Sequence, residues 1–373
     1  MAGGAESSCE EEWIPVPEHE LFHRRAEGFR QAQREYREAV QSQKPEDPRC
    51  PRIVPSGKYS DIPVVEDDDY YFMGHRGEVP PNYAAPRAPF YASPKPAYFD
   101  EYERSCREDQ VLLLQQTISQ NSCSVAMLHH GLILALESGS VECAHELLRC
   151  GTPIAKRAPE SLLSAPRMKQ IPLLDTLLAY GWDPTYDLFM KCVPDIELVQ
   201  WFLAHGTDPN YGIKRDRPDK AGGPSYECAD ALERAASKGS AAVIDILIAA
   251  GAKIEFGHPL HIAAMVLPPN HHPYSSASQP EDFDASLIPT MAALVAHSAD
   301  VNEREDTPHV TVEYPLLYAV KYSAVQRARW LLEHGADLAL TPTGRPSLTA
   351  AAMAKMIGNL EMIELLDSHI RLM

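Results

Sequence analysis

Histidine is the residue type in this chain best suited to binding a metal or moving a proton, and spacing decides what each copy can do. His129-His130 and His271-His272 are adjacent pairs. Neighbours on a helix point away from each other, so the first pair makes a poor metal clamp. The second lies in a Pro/Ser-rich stretch without nearby acidic or Cys ligands. His205, His297 and His334 each stand one residue before a recurring Gly, or Ser after His297, which marks them as helix-cap residues. The eight cysteines, at 9, 50, 106, 123, 143, 150, 192 and 228, form no Cys-x-x-Cys pair and no zinc-finger spacing to histidines. The sequence holds no phosphate-cradling G-x-x-x-x-G-K-[ST], no H-E-x-x-H and no G-x-S-x-G. A non-enzymatic protein is expected, with no catalytic residue, no cofactor and no metal.

Basic side chains at helical offsets offer a different chemistry. The stretch FRQAQREYREA, Phe29 to Ala39, carries Arg30, Gln33, Arg34 and Arg37. Arginines so placed can bind phosphates, and a Gln can reach a base edge or a partner's backbone. These four are the candidate contact residues for DNA or for a protein partner. Phe22, Ala26, Phe29, Gln33, Tyr36 and Val40 follow a 4-3-4-3-4 spacing, one continuous amphipathic stripe. From Glu18 to Ser42 five arginines face five glutamates, so the helix is neutral overall. Gly28 weakens it by roughly 1 kcal/mol relative to Ala.

These residues need elements to position them. Residues 1–16 form an acidic, disordered start; residues 1–20 hold six acidic side chains and no Lys or Arg. Residues 17–44 read as the amphipathic helix, with Pro17 able to open it and Pro45 to end it. Residues 45–104 read as an extended segment. Eleven prolines between 45 and 99 forbid a helix or central strand, and nine aromatics there argue for a strap whose rings dock on the folded part.

From about residue 105 an apolar-apolar-x-x-Gly ending recurs. It closes at Gly151, Gly181, Gly206, Gly251 and Gly335, with degenerate copies at Ser298 and His369, and Leu113-Leu114 marks a leading half-unit. The steps are 30, 25, 45, 47, 37 and 34 residues. Gly at that point suits a helix C-cap that needs positive φ. The 25-residue step implies a truncated repeat; the 45-residue step implies a finger loop around Tyr211–Glu227. The 47-residue step implies an insertion near Val266–Asp284, between the two helices of one repeat. His258-Pro259-Leu260-His261-Ile262-Ala263 resembles the ankyrin signature T-P-L-H-x-A, with His258 where Thr is usual. Tyr314-Pro315-Leu316-Leu317-Tyr318-Ala319 is a second copy, and Gly335-Ala336-Asp337 resembles that family's G-A-D ending. The resemblance covers residues 105–373. It implies an all-α ankyrin-repeat solenoid of about six to seven stacked helix pairs with hairpin or finger loops. It also implies a structural hydrogen-bonding role for His261 at the tip of its helix.

A second resemblance rests on the opening helix. Ala32, Gln33, Tyr36 and Arg37 match the last four positions of the bZIP basic-region pattern N-x-x-A-[AQ]-x-x-[apolar]-R, and Arg30 and Arg34 match arginines common in fungal versions. Phe29 occupies the position of the base-reading Asn and cannot make its bidentate contact. The combination is similar to fungal ankyrin-repeat transcription regulators tied to secondary-metabolite gene clusters. It implies a transcription co-regulator of the nucleus, or of nucleus and cytoplasm, with direct DNA binding weak or absent. The alternative is a cytosolic ankyrin adaptor or scaffold with no gene-regulatory role.

Charge bounds the partners. The net charge is −18, which repels nucleic acid as a whole-molecule ligand. Residues 105–373 carry 21 basic and 32 acidic side chains, which favours a basic protein partner, such as a DNA-binding transcription factor, held by a monomer. Uneven cysteine placement implies reduced thiols and an intracellular protein. An acidic N-terminus without an apolar core implies no secretory signal, and no apolar run is long enough to span a bilayer.

Overall fold

A computed structural model describes residues 63–64, 85–86, 97–121, 123, 125–155, 157–213, 224–306 and 312–372. The amphipathic helix expected at 17–44, with Arg30, Gln33, Arg34 and Arg37, lies outside the described residues. The described residues are all-α helix pairs with two short two-residue ladders. It divides into two compact units, residues 1–182 and 183–373.

Among its described residues unit 1 holds three pairs. Helices α1 (Phe99–Arg107) and α2 (Val111–Gln120) form the first, and α3 (Val125–Ser138) and α4 (Val141–Arg149) the second. A 3₁₀ turn at Ala158–Ser164 and α5 (Arg167–Ala179) form the third. Pro159 opens the 3₁₀ turn and Pro166 closes off any continuation, so this first element stays one short turn. Like packs on like: α1 lies against α3, and α2 and α5 both lie against α4. The closest approach is at Gly131, where an added Cβ would meet the Tyr102 hydroxyl. Tyr102 is fully buried and donates to Met127 O at 2.9 Å, so the missing side chain is what seats α1 on α3. The leading half-unit expected at Leu113-Leu114 is thus a complete pair. Its first helix begins at Phe99, inside the segment expected to stay extended to residue 104. Phe99 is buried and stacks on His130, so the last ring of the aromatic-rich stretch belongs to the core. Upstream, β1 (Pro63–Val64) pairs antiparallel with β2 (Ala85–Pro86), and β2 lies against α3.

Among its described residues unit 2 holds five pairs: α6 (Tyr186–Cys192) with α7 (Ile196–Ala204), α8 (Asp230–Ser237) with α9 (Ala241–Ala249), α10 (Pro259–Met265) with α12 (Ile288–Ala296), α13 (Pro315–Lys321) with α14 (Val325–Glu333), and α15 (Ala350–Ile357) with α16 (Leu360–Leu372). First helices stack as α8, α10, α13, α15. The 25-residue step is a full pair with minimal connections: α6 begins five residues after Gly181, and Asp195 both ends the link and caps α7 through Leu198 N at 3.1 Å. At the expected finger, β3 (Gly212–Ile213) pairs antiparallel with β4 (Pro224–Ser225).

The recurring ending has one geometry. After α4, α5, α7, α9, α12 and α14 the residue at the Gly position has φ between 76° and 97°, in the left-handed region. The next N–H then reaches back to the first leucine-type carbonyl of the ending, as in Ala252 N to Leu247 O at 2.9 Å and Ala336 N to Leu331 O at 3.0 Å. This is the Schellman closure, which satisfies carbonyls a helix end would otherwise orphan. The motif D-x-N then ties one repeat to the next. Asn302 donates to Gly335 O at 2.9 Å and accepts from Asp337 N at 2.8 Å, and Asn210 does the same with Gly251 O and Lys253 N at 2.9 Å each.

The insertion of 266–284 lies where expected, between α10 and α12, and it is a brace. Its short helix α11 (Glu281–Ser286) packs on α14. Arg327 of α14 is 0 % exposed and Asp284 of α11 is 1 % exposed, and Arg327 Nε donates to Asp284 Oδ1 at 2.6 Å. The same guanidinium donates to Ala263 O, Ala264 O, Val266 O and Gln279 Oε1 at 2.6–3.0 Å. Burial draws its pKa below the ordinary value while Asp284 opposes the shift. The Gln279 amide adds bonds to Val266 O and Tyr322 O, and Ser278 Oγ donates to Glu361 Oε2 at 2.7 Å. A buried charge is tolerable only when paired and fully hydrogen-bonded, and the insertion supplies those partners.

Candidate functional site

Each histidine of the sequence reading has a definite place. His129 is half-buried with Nε2 enclosed and unpartnered, and burial lowers its pKa to about 4. His130 bonds Glu103 Oε1 at 2.7 Å instead, so the pair diverges as helical geometry demands. His205 and His334 stand at the ends of α7 and α14, where Nδ1 meets Trp201 O and Trp330 O at 2.7 Å and each ring stacks on that tryptophan. His297 pairs with Asp245 Oδ1 at 2.9 Å. All three act at helix ends. His271 Nε2 is buried without a partner, and His272 turns to Pro273 O.

The described cysteines are packing residues. Cys106, Cys123, Cys143, Cys150 and Cys192 are buried, and burial pushes the Cys106 and Cys123 thiols up to about 12. A thiol held neutral is neither a nucleophile nor a ready ligand.

His261 has a hydrogen-bonding role, as expected, within a larger cluster that sequence reasoning missed. It is 0 % exposed, and Nε2 meets Glu303 O, in the loop after α12, at 3.0 Å. Burial lowers its pKa, with the neighbouring His258 adding to the shift. His258 sits at the N-cap of α10, its backbone N–H donating to Glu233 Oε1 at 2.9 Å. Its Nδ1 lies 3.7 Å from Glu303 Oε1, and that carboxylate raises the His258 pKa against the opposing effect of burial. The two imidazoles meet edge to face at 5.1 Å, and Tyr318 of α13 closes the far side of His261 at 6.0 Å. The Tyr318 hydroxyl donates to Glu305 Oε2 at 2.7 Å. One signal was present in the sequence: His258 stands where the resembled motif has Thr. Its partner Glu303 is 45 positions away and could not be paired with it from spacing.

Unit 2 also presents acidic and aromatic loop groups. Glu303, Glu305, Asp306 and Glu313 occupy the loop between α12 and α13, with Arg304 Nε donating to Asp306 Oδ1 at 2.7 Å. At the root of the finger Tyr226, 66 % exposed, meets Tyr211 edge to face at 5.5 Å, and Tyr211 meets Tyr186 at 5.8 Å. Exposed tyrosine on a projecting loop suits capture of a polypeptide, and acidic groups beside a loop favour a basic one.

No protein-family model matches the chain, and no curated protein matches it. Among solved structures the chain is similar to the human ASB11 ankyrin repeat domain, with 19 % identity, covering 72 % of this chain and 82 % of that one, at a TM-score of 0.29. The helix pairs, the Schellman endings and the inter-repeat Asn bridges together make up a stacked helical repeat. No helix among the described residues is long and apolar enough to cross a membrane.

Proposed function

We propose that this protein is a non-enzymatic protein-interaction module that works as a transcription co-regulator. The carrying observation is the loops of unit 2, where Tyr226 offers a ring and Glu303, Glu305 and Asp306 offer negative charge to a polypeptide. Repeat solenoids bind through such surfaces because stacking leaves the loops of successive repeats side by side. The acidic excess over 105–373 favours a basic partner, and a DNA-binding factor is basic by necessity. The regulatory part of the reading draws on the basic-region pattern at Arg30, Gln33, Arg34 and Arg37, with Phe29 removing base recognition. DNA is then reached through the partner, from a nuclear or shuttling pool.

Affinity capture with the intact chain and with a 43–373 truncation tests this. The expected result is a DNA-binding factor recovered by the intact chain, together with enrichment of the chain at promoters by chromatin immunoprecipitation. Cytosolic partners alone and no promoter enrichment would leave a cytosolic adaptor. Equal recovery by both forms would place binding in the repeats and give the first helix another role.

A further inference from the structure

The histidine–glutamate cluster of unit 2 has the makings of a metal centre. One potential ligand atom each from His258, His261 and Glu303 lie within 4.8 Å of one another. Two nitrogens here, His258 Nδ1 and His261 Nδ1, are enclosed and make no hydrogen bond, although Glu303 Oε1 stands 3.7 Å from the first. A buried polar atom without a hydrogen bond costs about 1–3 kcal/mol, so two in one cluster call for a common ligand. The His258 Nδ1 to Glu303 Oε1 distance of 3.7 Å is too long for a hydrogen bond. It is close to the edge, about 3.4 Å, of a tetrahedron with bonds of about 2.0–2.1 Å.

The tautomer is already set. His261 Nε2 faces the Glu303 carbonyl at 3.0 Å, so it carries the proton and leaves a lone pair on Nδ1. Ligating histidines are held in this way, with the second ring nitrogen donating to a carbonyl or carboxylate. Here one residue, Glu303, supplies both the orienting carbonyl and the carboxylate. The cluster lies near the surface, with the side chains of His258 and Glu303 24 % and 30 % exposed and His261 as the floor, while both Nδ1 atoms are themselves enclosed.

We propose that His258, His261 and Glu303 form a three-ligand site for a divalent first-row transition ion of the zinc class. Imidazole nitrogen with carboxylate oxygen suits such ions and disfavours calcium and magnesium, which require oxygen alone. Three protein ligands leave a fourth position for water or for a side chain of a bound protein. The ion would clamp the start of α10 to the loop after α12, the acidic edge assigned above to partner binding. The site stands on its own geometry, whether or not the partner is a transcription factor.

The test uses the full-length chain stripped with a chelator and titrated with Co²⁺ and Zn²⁺. The expected result is one equivalent of Co²⁺ with a visible spectrum of nitrogen and oxygen ligation and no thiolate charge-transfer band, displaced by Zn²⁺. The unfolding temperature should rise with Zn²⁺ concentration. Binding should weaken more than about 100-fold in His258→Thr and in Glu303→Gln, since losing an outer-shell partner alone costs about 10–100-fold. Thr is the residue of the resembled motif at 258, so that variant should keep the metal-free stability. His271→Ala/His272→Ala should bind as the parent does. On the unaltered protein, Zn²⁺ should shift the ring resonances of His258 and His261. Unchanged affinity in both ligand variants, a thiolate band, or no shift of those two rings would each overturn the proposal.

Discussion

At the scale of single residues, stability in unit 2 hinges on Arg327. Five acceptors converge on its guanidinium, and Asp284 is the only charged one among them. Asp284 also accepts Gln326 N at 2.6 Å, fixing the start of α14. Asp284→Ala should therefore cost about 3–5 kcal/mol, because it leaves a buried cation unpaired; urea unfolding of the purified chain measures it. A loss below about 1 kcal/mol would mean water replaces the carboxylate. His129 supplies a pH dependence in unit 1. It stays neutral in the folded chain down to about pH 4, whereas the unfolded form takes a proton near pH 6.5. The unfolded state then binds more protons within that window, so the contribution is intact above pH 6.5 and is lost as pH falls toward 4. Replacing His129 with Phe should flatten that part of the stability–pH curve in denaturant titrations at fixed salt.

At the scale of elements, the Schellman endings explain why the repeats were visible and where one is weak. Glycine enters the left-handed region without strain, and Gly335 does so at φ 91°. Ser298 takes the same place at φ 76° with a side chain, and its closure, Ala299 N to Leu294 O at 3.0 Å, is otherwise intact. A non-glycine residue there is strained by roughly 1–2 kcal/mol, part of which glycine returns through the entropy of the unfolded chain. Ser298→Gly should stabilise by about 0.5–1 kcal/mol, read as a higher urea midpoint at unchanged slope. The insertion shows the opposite case. A Pro/Ser-rich stretch with a histidine pair has the composition of an open loop, and its order comes from Gln279, Ser278 and Asp284 meeting groups 43 to 83 residues away. Composition carries no information about such distant partners. The first helix was hidden for a related reason: the prolines upstream set the character of a window that Phe99 and Tyr102 leave only by docking on α3.

At the scale of the molecule, net charge sets how partners arrive. An acidic surface attracts a basic polypeptide at long range, and salt screens that attraction over about 8 Å at physiological strength. The association rate with a basic partner should therefore fall steeply between about 0.05 and 0.3 M salt while dissociation changes little, as stopped-flow binding can show. A salt-independent association rate would shift the weight from the acidic loops to the aromatic groups at the finger root. Because each repeat touches only its neighbours, damage should also stay local. Hydrogen exchange in Asp284→Ala is expected to rise around α10 to α14 first.

The sequence by itself determined the all-α repeat architecture, the helix endings, the cap histidines and the positions of finger and insertion. All of these are written in periods of a few residues, where backbone hydrogen bonding and left-handed glycine conformations leave a local trace. Tertiary structure alone decided that Arg327 is buried against Asp284, that the insertion is a brace, and that His258 and His261 share Glu303. These are meetings of side chains with side chains or backbone carbonyls 42 to 64 residues apart, and only the stacking of helix pairs brings them within bonding distance.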